Sequence, residues 1–266
     1  MKRILMIAMA LVMSAGVSFA LVPVGDSLQT VLDDITVAPN IGDSSVDVHT
    51  DMLSDDIDTT WTITGTGGSV SSMIVELASF ADYNQFGVYN GDDYVIIFDG
   101  TDTAGVFPGT QATLTILANG DVYVNGIYQA TFDSNNFGYY LEVTGSWTYE
   151  LNGDVVPLGT PPTGGEPIDL VWHSDTSLNG DGEDHMVAYA GTNTDTVQID
   201  PFAPGLWTNN EYILAFEDLP SWLTDSDFTD FVVMVESVSP VPEPATLLLM
   251  GGGLAAFAAA RRRRKK

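Results

Sequence analysis

The chain has 266 residues, 45% of them apolar, which suffices for a packed core in one large domain or two small ones. Acids outnumber bases 36 to 8, for a net charge of -28, which excludes nucleic acid as a partner because phosphate binding needs Lys and Arg. With no cysteine, disulfides, thiolate zinc sites, iron–sulfur clusters and a cysteine nucleophile are excluded together.

All eight basic residues sit at the two ends: Lys2, Arg3 and the run Arg261 to Lys266. Between Ile4 and Ala260 there is no Lys or Arg, while every carboxylate lies between Asp26 and Glu243. Asp outnumbers Glu 27 to 9, a bias toward turns, caps and cation loops rather than helices. Lys2 and Arg3, the apolar Ile4 to Met13 and the small-x-small Ser18-Phe19-Ala20 have the layout of a secretory signal, residues 1–20, cut after Ala20.

The body, from Leu21, reads as all-β. Thr110 to Leu117 alternates and is followed by Asn119-Gly120, Asp121 to Val124, Asn125-Gly126 and Ile127 to Phe132. Two Asn-Gly turns between alternating runs predict a three-stranded meander. Further strands are expected at Thr59 to Thr64, Val70 to Ala78, Tyr94 to Phe98, Tyr139 to Thr144, Ser146 to Leu151, Met186 to Ala190, Tyr212 to Phe216 and Phe231 to Val238. No segment shows a sustained helical period. Many short strands separated by turn signals predict an antiparallel β-sandwich or jelly roll. Asn84-Gln85-Phe86-Gly87-Val88-Tyr89 is echoed by Asn135-Asn136-Phe137-Gly138-Tyr139-Tyr140, as if a glycine stood wherever an aromatic packs. Pro161 to Pro167 is the linker candidate, dividing a β-rich region at 21–160 from a C-terminal β region at 168–238. A single sandwich with one long loop fits equally.

Acidic side chains crowd two segments after the linker. Asp175 to His185 holds four acids and two glycines, with Asp181, Glu183, Asp184 and His185 at its end. Glu217-Asp218 then follows an apolar strand, and Asp225-Ser226-Asp227-Phe228-Thr229-Asp230 leads into another. Short oxygen-bearing side chains on tight turns suit calcium, which takes six to eight oxygens. If the two segments meet in space, like charges demand a cation or raised pKa values. The candidate ligands are Asp181, Asp184, Glu217, Asp218, Asp225, Asp227 and Asp230, with Ca2+ the expected ion. A third acidic run, Asp47, Asp51, Asp55, Asp56 and Asp58, reads as a solvated loop.

Catalytic signatures are scarce. His49, His173 and His185 are the only histidines, and neither a Gly-x-Ser-x-Gly elbow nor a His-Glu-x-x-His helix occurs. The chain is therefore read as non-enzymatic. Two alternatives stay open: a polysaccharide hydrolase, which needs only a carboxylate pair, and a carbohydrate-binding module. Trp207 and Trp222, in polar loops, are the candidate sugar-stacking residues.

Val241-Pro242-Glu243-Pro244 opens the last segment, 241–266. An apolar stretch, Ala245 to Ala260, and six basic residues complete it. Sixteen helical residues would span about 24 Å, a little under a hydrocarbon core of about 30 Å. The basic end would stay on the cytoplasmic side, leaving the acidic body outside. This order of motif, short transmembrane helix and Arg cluster resembles the PEP-CTERM sorting signal. The resemblance implies export through the secretion machinery, processing by an exosortase, transient membrane anchoring by the helix, and residence at the outer surface or in an exopolysaccharide matrix. Asp181-Gly182-Glu183-Asp184-His185, Phe216-Glu217-Asp218 and Asp225 to Asp230 together resemble a domain of unknown function often found upstream of such tails. That family often has Asn where this chain has Thr229. The reading is of an exported, surface or matrix protein with a structural or adhesive role and calcium-stabilised acidic loops.

Overall fold

The computed structural model describes residues 22–64, 68–75, 81–105 and 111–242. The signal segment with Ala20, Glu243, Pro244 and the apolar stretch after them lie outside the described residues. Among the described residues no helix is long and apolar enough to cross a membrane.

The architecture is all-β, built from antiparallel sheets with few helices. A seven-stranded sheet runs in the order Met186–Ala190, Glu211–Phe216, Phe231–Glu236, Ser69–Val75, Gln111–Ile116, Asp121–Val124, Ile127–Thr131. The last three are the meander that the Asn-Gly turns predict, and Asn125, Gly120 and Gly126 take the positive φ values such turns need. A six-stranded sheet is centred on Asn136–Val143, paired on one edge with Asn84–Asn90 and on the other with Trp61–Ile63 and Val171–His173. Strands from both sides of Pro161 to Pro167 thus pair within each sheet.

Alternate residues of both sheets enter one core. Phe86, Val88, Phe137, Tyr139 and Leu141 come from the six-stranded sheet, and Leu114, Met186, Leu214, Phe216, Phe231 and Val233 from the seven-stranded one. A second core lies on the other face of the seven-stranded sheet, where Val187, Tyr189, Ile213, Ala215 and Val232 meet Leu28, Leu32 and Ile35. Burial on both faces explains why MVAYA, YILAF and FVVMV are apolar without alternation.

The covering element is a helix, Ser27–Ile35, which the sequence reading missed. Its buried positions, Leu28, Leu32 and Ile35, fall at i, i+4 and i+7, one stripe of a helix. Nine residues carry only that single stripe, so no sustained period was visible.

The echoed glycines have a common cause. Gly87 pairs with Tyr140 and Gly138 with Tyr89 across adjacent strands. A Cβ on Gly138 would fall 2.3 Å from the Tyr89 ring, and one on Gly87 would fall 2.1 Å from the Val95 carbonyl oxygen and 2.7 Å from the Tyr140 ring. Each aromatic lies over its partner's missing side chain. Gly138→Ala is expected to cost about 1–3 kcal/mol by overpacking, read as a lower denaturant midpoint with an unchanged slope. Normal stability in that variant would show that Tyr89 can move aside.

Candidate metal centre

Strand register assembles the site. Met186, Phe216 and Phe231 pair in a row across three strands. The residues just outside that row, His185, Glu217 with Asp218, and Asp230, are thereby brought to one end of the seven-stranded sheet. The two acidic segments of the sequence meet there.

Glu217, Asp225 and Asp227 offer carboxylate oxygens within 4.8 Å of one another. Oxygens bound to one calcium at 2.3–2.6 Å lie up to about 5 Å apart, so the spacing fits. Ser226 and Phe228 both adopt left-handed backbone, φ 58° and 54°, which coils the loop. Such a conformation is unfavourable for Phe, and the buried Phe228 ring in the second core holds it. The Phe228 amide donates to Glu217 Oε1 at 2.5 Å, and Thr224 Oγ1 donates to Glu217 Oε2. Thr229 donates through both its amide (2.9 Å) and its hydroxyl (2.7 Å) to Asp227 Oδ1. Thr229 therefore orients a candidate ligand and its own hydroxyl is committed to it.

Asp218 and Asp230 form the adjoining pair, with the Asp218 amide donating to Asp230 Oδ2 at 3.0 Å. Asp218 Oδ2 accepts from Asn84 Nδ2 at 3.2 Å. Asp218 Oδ1 is buried with no hydrogen-bond donor among the described residues. Asp218, Asp225, Asp227, Thr229 and Asp230 line a cleft of about 320 Å³. Burial, and then the facing carboxylates, push Asp218 and Asp230 upward as a pair. Burial likewise raises Glu217 to about 7, against the pull of the Thr224 and Phe228 hydrogen bonds. Without a cation the cleft thus holds protons near neutral pH, and a divalent ion would replace them.

Asp181 and Asp184 sit apart from this group. Asp181 Oδ2 accepts from His185 Nε2 at 3.0 Å and from the Ser221 amide at 2.9 Å. Burial would raise Asp181, but the His185 hydrogen bond and charge outweigh it and hold the carboxyl at about 2. His185 stacks on Trp172 at 3.8 Å, and Trp172 Nε1 donates to the Asp218 carbonyl at 2.9 Å. Asp181, His185 and Trp172 therefore brace the Glu217-Asp218 turn from behind. Asp184 is buried, accepts from the Met186 amide at 3.1 Å and has Asp55 as its electrostatic neighbour. Burial, and then Asp55, raise it to about 8. Asp58 is also buried, and burial, then Asp184, raise it well above the usual carboxylate range. The expectation of a solvated loop fails at Asp58, because Asp55–Asp58 forms a short helix that turns this side chain inward.

The tryptophan expectation also needs correction. Trp207 is fully buried in the second core, with Nε1 donating to the Glu211 carbonyl at 3.1 Å, so it presents no face to a sugar. Trp222 is half-buried. Asn84 and Thr224, which hold Asp218 and Glu217, were not singled out by sequence. Asn84 opens the echoed Asn-Gln-Phe-Gly segment, and that echo was the available signal.

The strand Val238–Pro240 pairs with Trp61–Ile63, and the Val241 amide donates to the Thr60 carbonyl at 2.7 Å. The Val241-Pro242 start of the motif therefore leaves directly from a sheet edge. Family models match two parts of the chain: a domain of unknown function (DUF4114) over residues 108–238 and the PEP-CTERM protein-sorting motif over residues 240–264. No curated protein and no solved structure matches. The first match spans the meander, the Pro161 to Pro167 segment and both acidic segments. The chain is thus a PEP-CTERM protein with a DUF4114 domain ahead of its sorting motif, exported to the cell surface and addressed to an exosortase.

Proposed function

We propose that this protein is a non-enzymatic component of the extracellular polysaccharide matrix whose acidic cleft binds calcium. On this reading a signal peptide is cut after Ala20, and the two large sheets form a β-sandwich displayed outside the cell. Calcium held by Glu217, Asp225 and Asp227, with Asp218 and Asp230 alongside, orders the loop and bridges the polyanionic body to anionic polymer. The supporting observation is Asp218, which lines a cleft with three further aspartates and whose buried Oδ1 has the Asp230 carboxylate beside it but no hydrogen-bond donor among the described residues. A buried acceptor without a donor is costly, and a cation in the cleft removes that cost.

Washing intact matrix with a calcium chelator is expected to release the protein, and magnesium at matched ionic strength is expected not to retain it. Asp227→Asn protein should appear in the medium without any wash. Retention after chelation, equal for both forms, would overturn calcium bridging and leave attachment to the processed tail alone.

A further inference from the structure

The outer face of the six-stranded sheet carries a second, separate hollow. Two adjoining cavities of about 500 and 590 Å³ share Glu142, Pro167, Ile168, Asp169 and Val171. Together they make a groove with Tyr94 and His173 at one end and Trp147 at the other. Each is of a size that accommodates a small organic ligand.

Tyr94 is the organised end. The residue is 45% exposed, yet its ring is wedged by Tyr89, Tyr140 and His173 with centroids at 5.7, 5.0 and 5.9 Å. The packing rests on the glycines described above, since Tyr89 lies over Gly138 and Tyr140 over Gly87. An aromatic face held this way loses little entropy on binding. The Tyr94 hydroxyl lies 2.8 Å from His173 Nε2. Burial pushes the His173 imidazole down and so favours the neutral ring, which shares a single proton with the Tyr94 hydroxyl in a direction set by its tautomer. In either case the Tyr94 oxygen keeps hydrogen-bonding capacity toward the groove. Asn179 fixes the histidine, accepting from its amide at 2.7 Å.

We infer that this groove binds a neutral, hydroxyl-rich polysaccharide chain. Aromatic faces at Tyr94 and Trp147 suit the C–H faces of pyranose rings. The carboxylates of Glu142 and Asp169 accept from sugar hydroxyls, and the Tyr94 hydroxyl hydrogen-bonds to one. The elongated shape suits a chain rather than a single sugar. No Lys or Arg occurs between Ile4 and Ala260, so uronate or sulfated sugars would meet only like charge. The inference rests on the matrix placement proposed above for its polymer. It shares no residue with the acidic cleft, so either site can fail without the other.

Affinity electrophoresis of the purified chain in chelator tests it, with gels containing dextran, mixed-linkage glucan, xylan or galactomannan, and polygalacturonate as the anionic comparison. Retardation by at least one neutral polymer and none by polygalacturonate is expected. Tyr94→Phe keeps the ring and its packing and should bind about tenfold more weakly, the loss of one hydrogen bond. Glu142→Gln should weaken binding similarly, Trp147→Ala should weaken it further, and Tyr128→Ala, on the meander, should not change it. No retardation by any neutral polymer, or wild-type binding by both Tyr94→Phe and Glu142→Gln, would overturn the assignment. Retardation by polygalacturonate in chelator would overturn its neutral-ligand part.

Discussion

Saturating calcium is expected to raise the melting temperature of the purified chain by about 5–10 °C, and magnesium at equal ionic strength by far less. Ligand at about 100 times its dissociation constant adds about 2.7 kcal/mol, and each kcal/mol shifts a domain of this size by about 2–4 °C. The ion selectivity follows from a site of carboxylates on a coiled loop, since magnesium demands tight octahedral geometry and gives up water reluctantly. Asp227→Asn and Asp225→Asn should abolish the calcium response. In chelator the same variants should melt at or above the wild-type temperature, because each removes one like charge from a carboxylate cluster in a body without Lys or Arg between Ile4 and Ala260. That opposite response separates a metal site from ordinary structural damage. Identical shifts with the two ions would reduce the acids to screened surface charge.

In chelator, stability should fall as pH rises from about 5 to 8, and Asp184→Asn should flatten much of that fall. Asp184 is raised to about 8 by burial, and next by Asp55, from the ordinary aspartate value of 3.8. Between those two values the folded chain keeps a proton that the unfolded chain releases. Stability from the neutral carboxyl is therefore complete below about pH 4 and is lost progressively up to about pH 8. At about 1.4 kcal/mol per unit over about three units, the loss is on the order of 4 kcal/mol, or roughly 10 °C. Asn keeps an acceptor for the Met186 amide and carries no titrating proton, so packing is preserved while the slope changes. Asp58→Asn should act in the same direction, since Asp58 is buried and raised by burial and by Asp184. A slope unchanged in both variants would place the pH dependence in the carboxylates of the acidic cleft or in general charge repulsion.

Local chemistry was legible in the chain by itself. The sorting tail was legible from the order of charge, apolar run and Val-Pro-Glu-Pro, which needs no partner elsewhere in the fold, and export and the exosortase are what its resemblance to the PEP-CTERM motif implies. The meander follows from Asn119-Gly120 and Asn125-Gly126, because turn geometry depends on the turn residues themselves. The matched glycine and aromatic positions were visible as an echo of six residues. Which acids converge was decided by tertiary structure. Asp218, Asp225, Asp227 and Asp230 share one cleft, with Glu217 behind it against Asp225 and Asp227, because Phe216 and Phe231 pair in register. Asp181 and Asp184 sit equally near that row in sequence, yet His185 takes one and burial beside Asp55–Asp58 takes the other. Trp207 looked accessible in a loop rich in Pro and Asn, but the helix Ser27–Ile35 and the outer face of the seven-stranded sheet form a second core around it. Burial is a property of what packs against a residue, and composition around Trp207 or Asp58 could not name those neighbours. The same holds for Tyr94, whose exposed face, histidine partner and carboxylate neighbours come from three different strands.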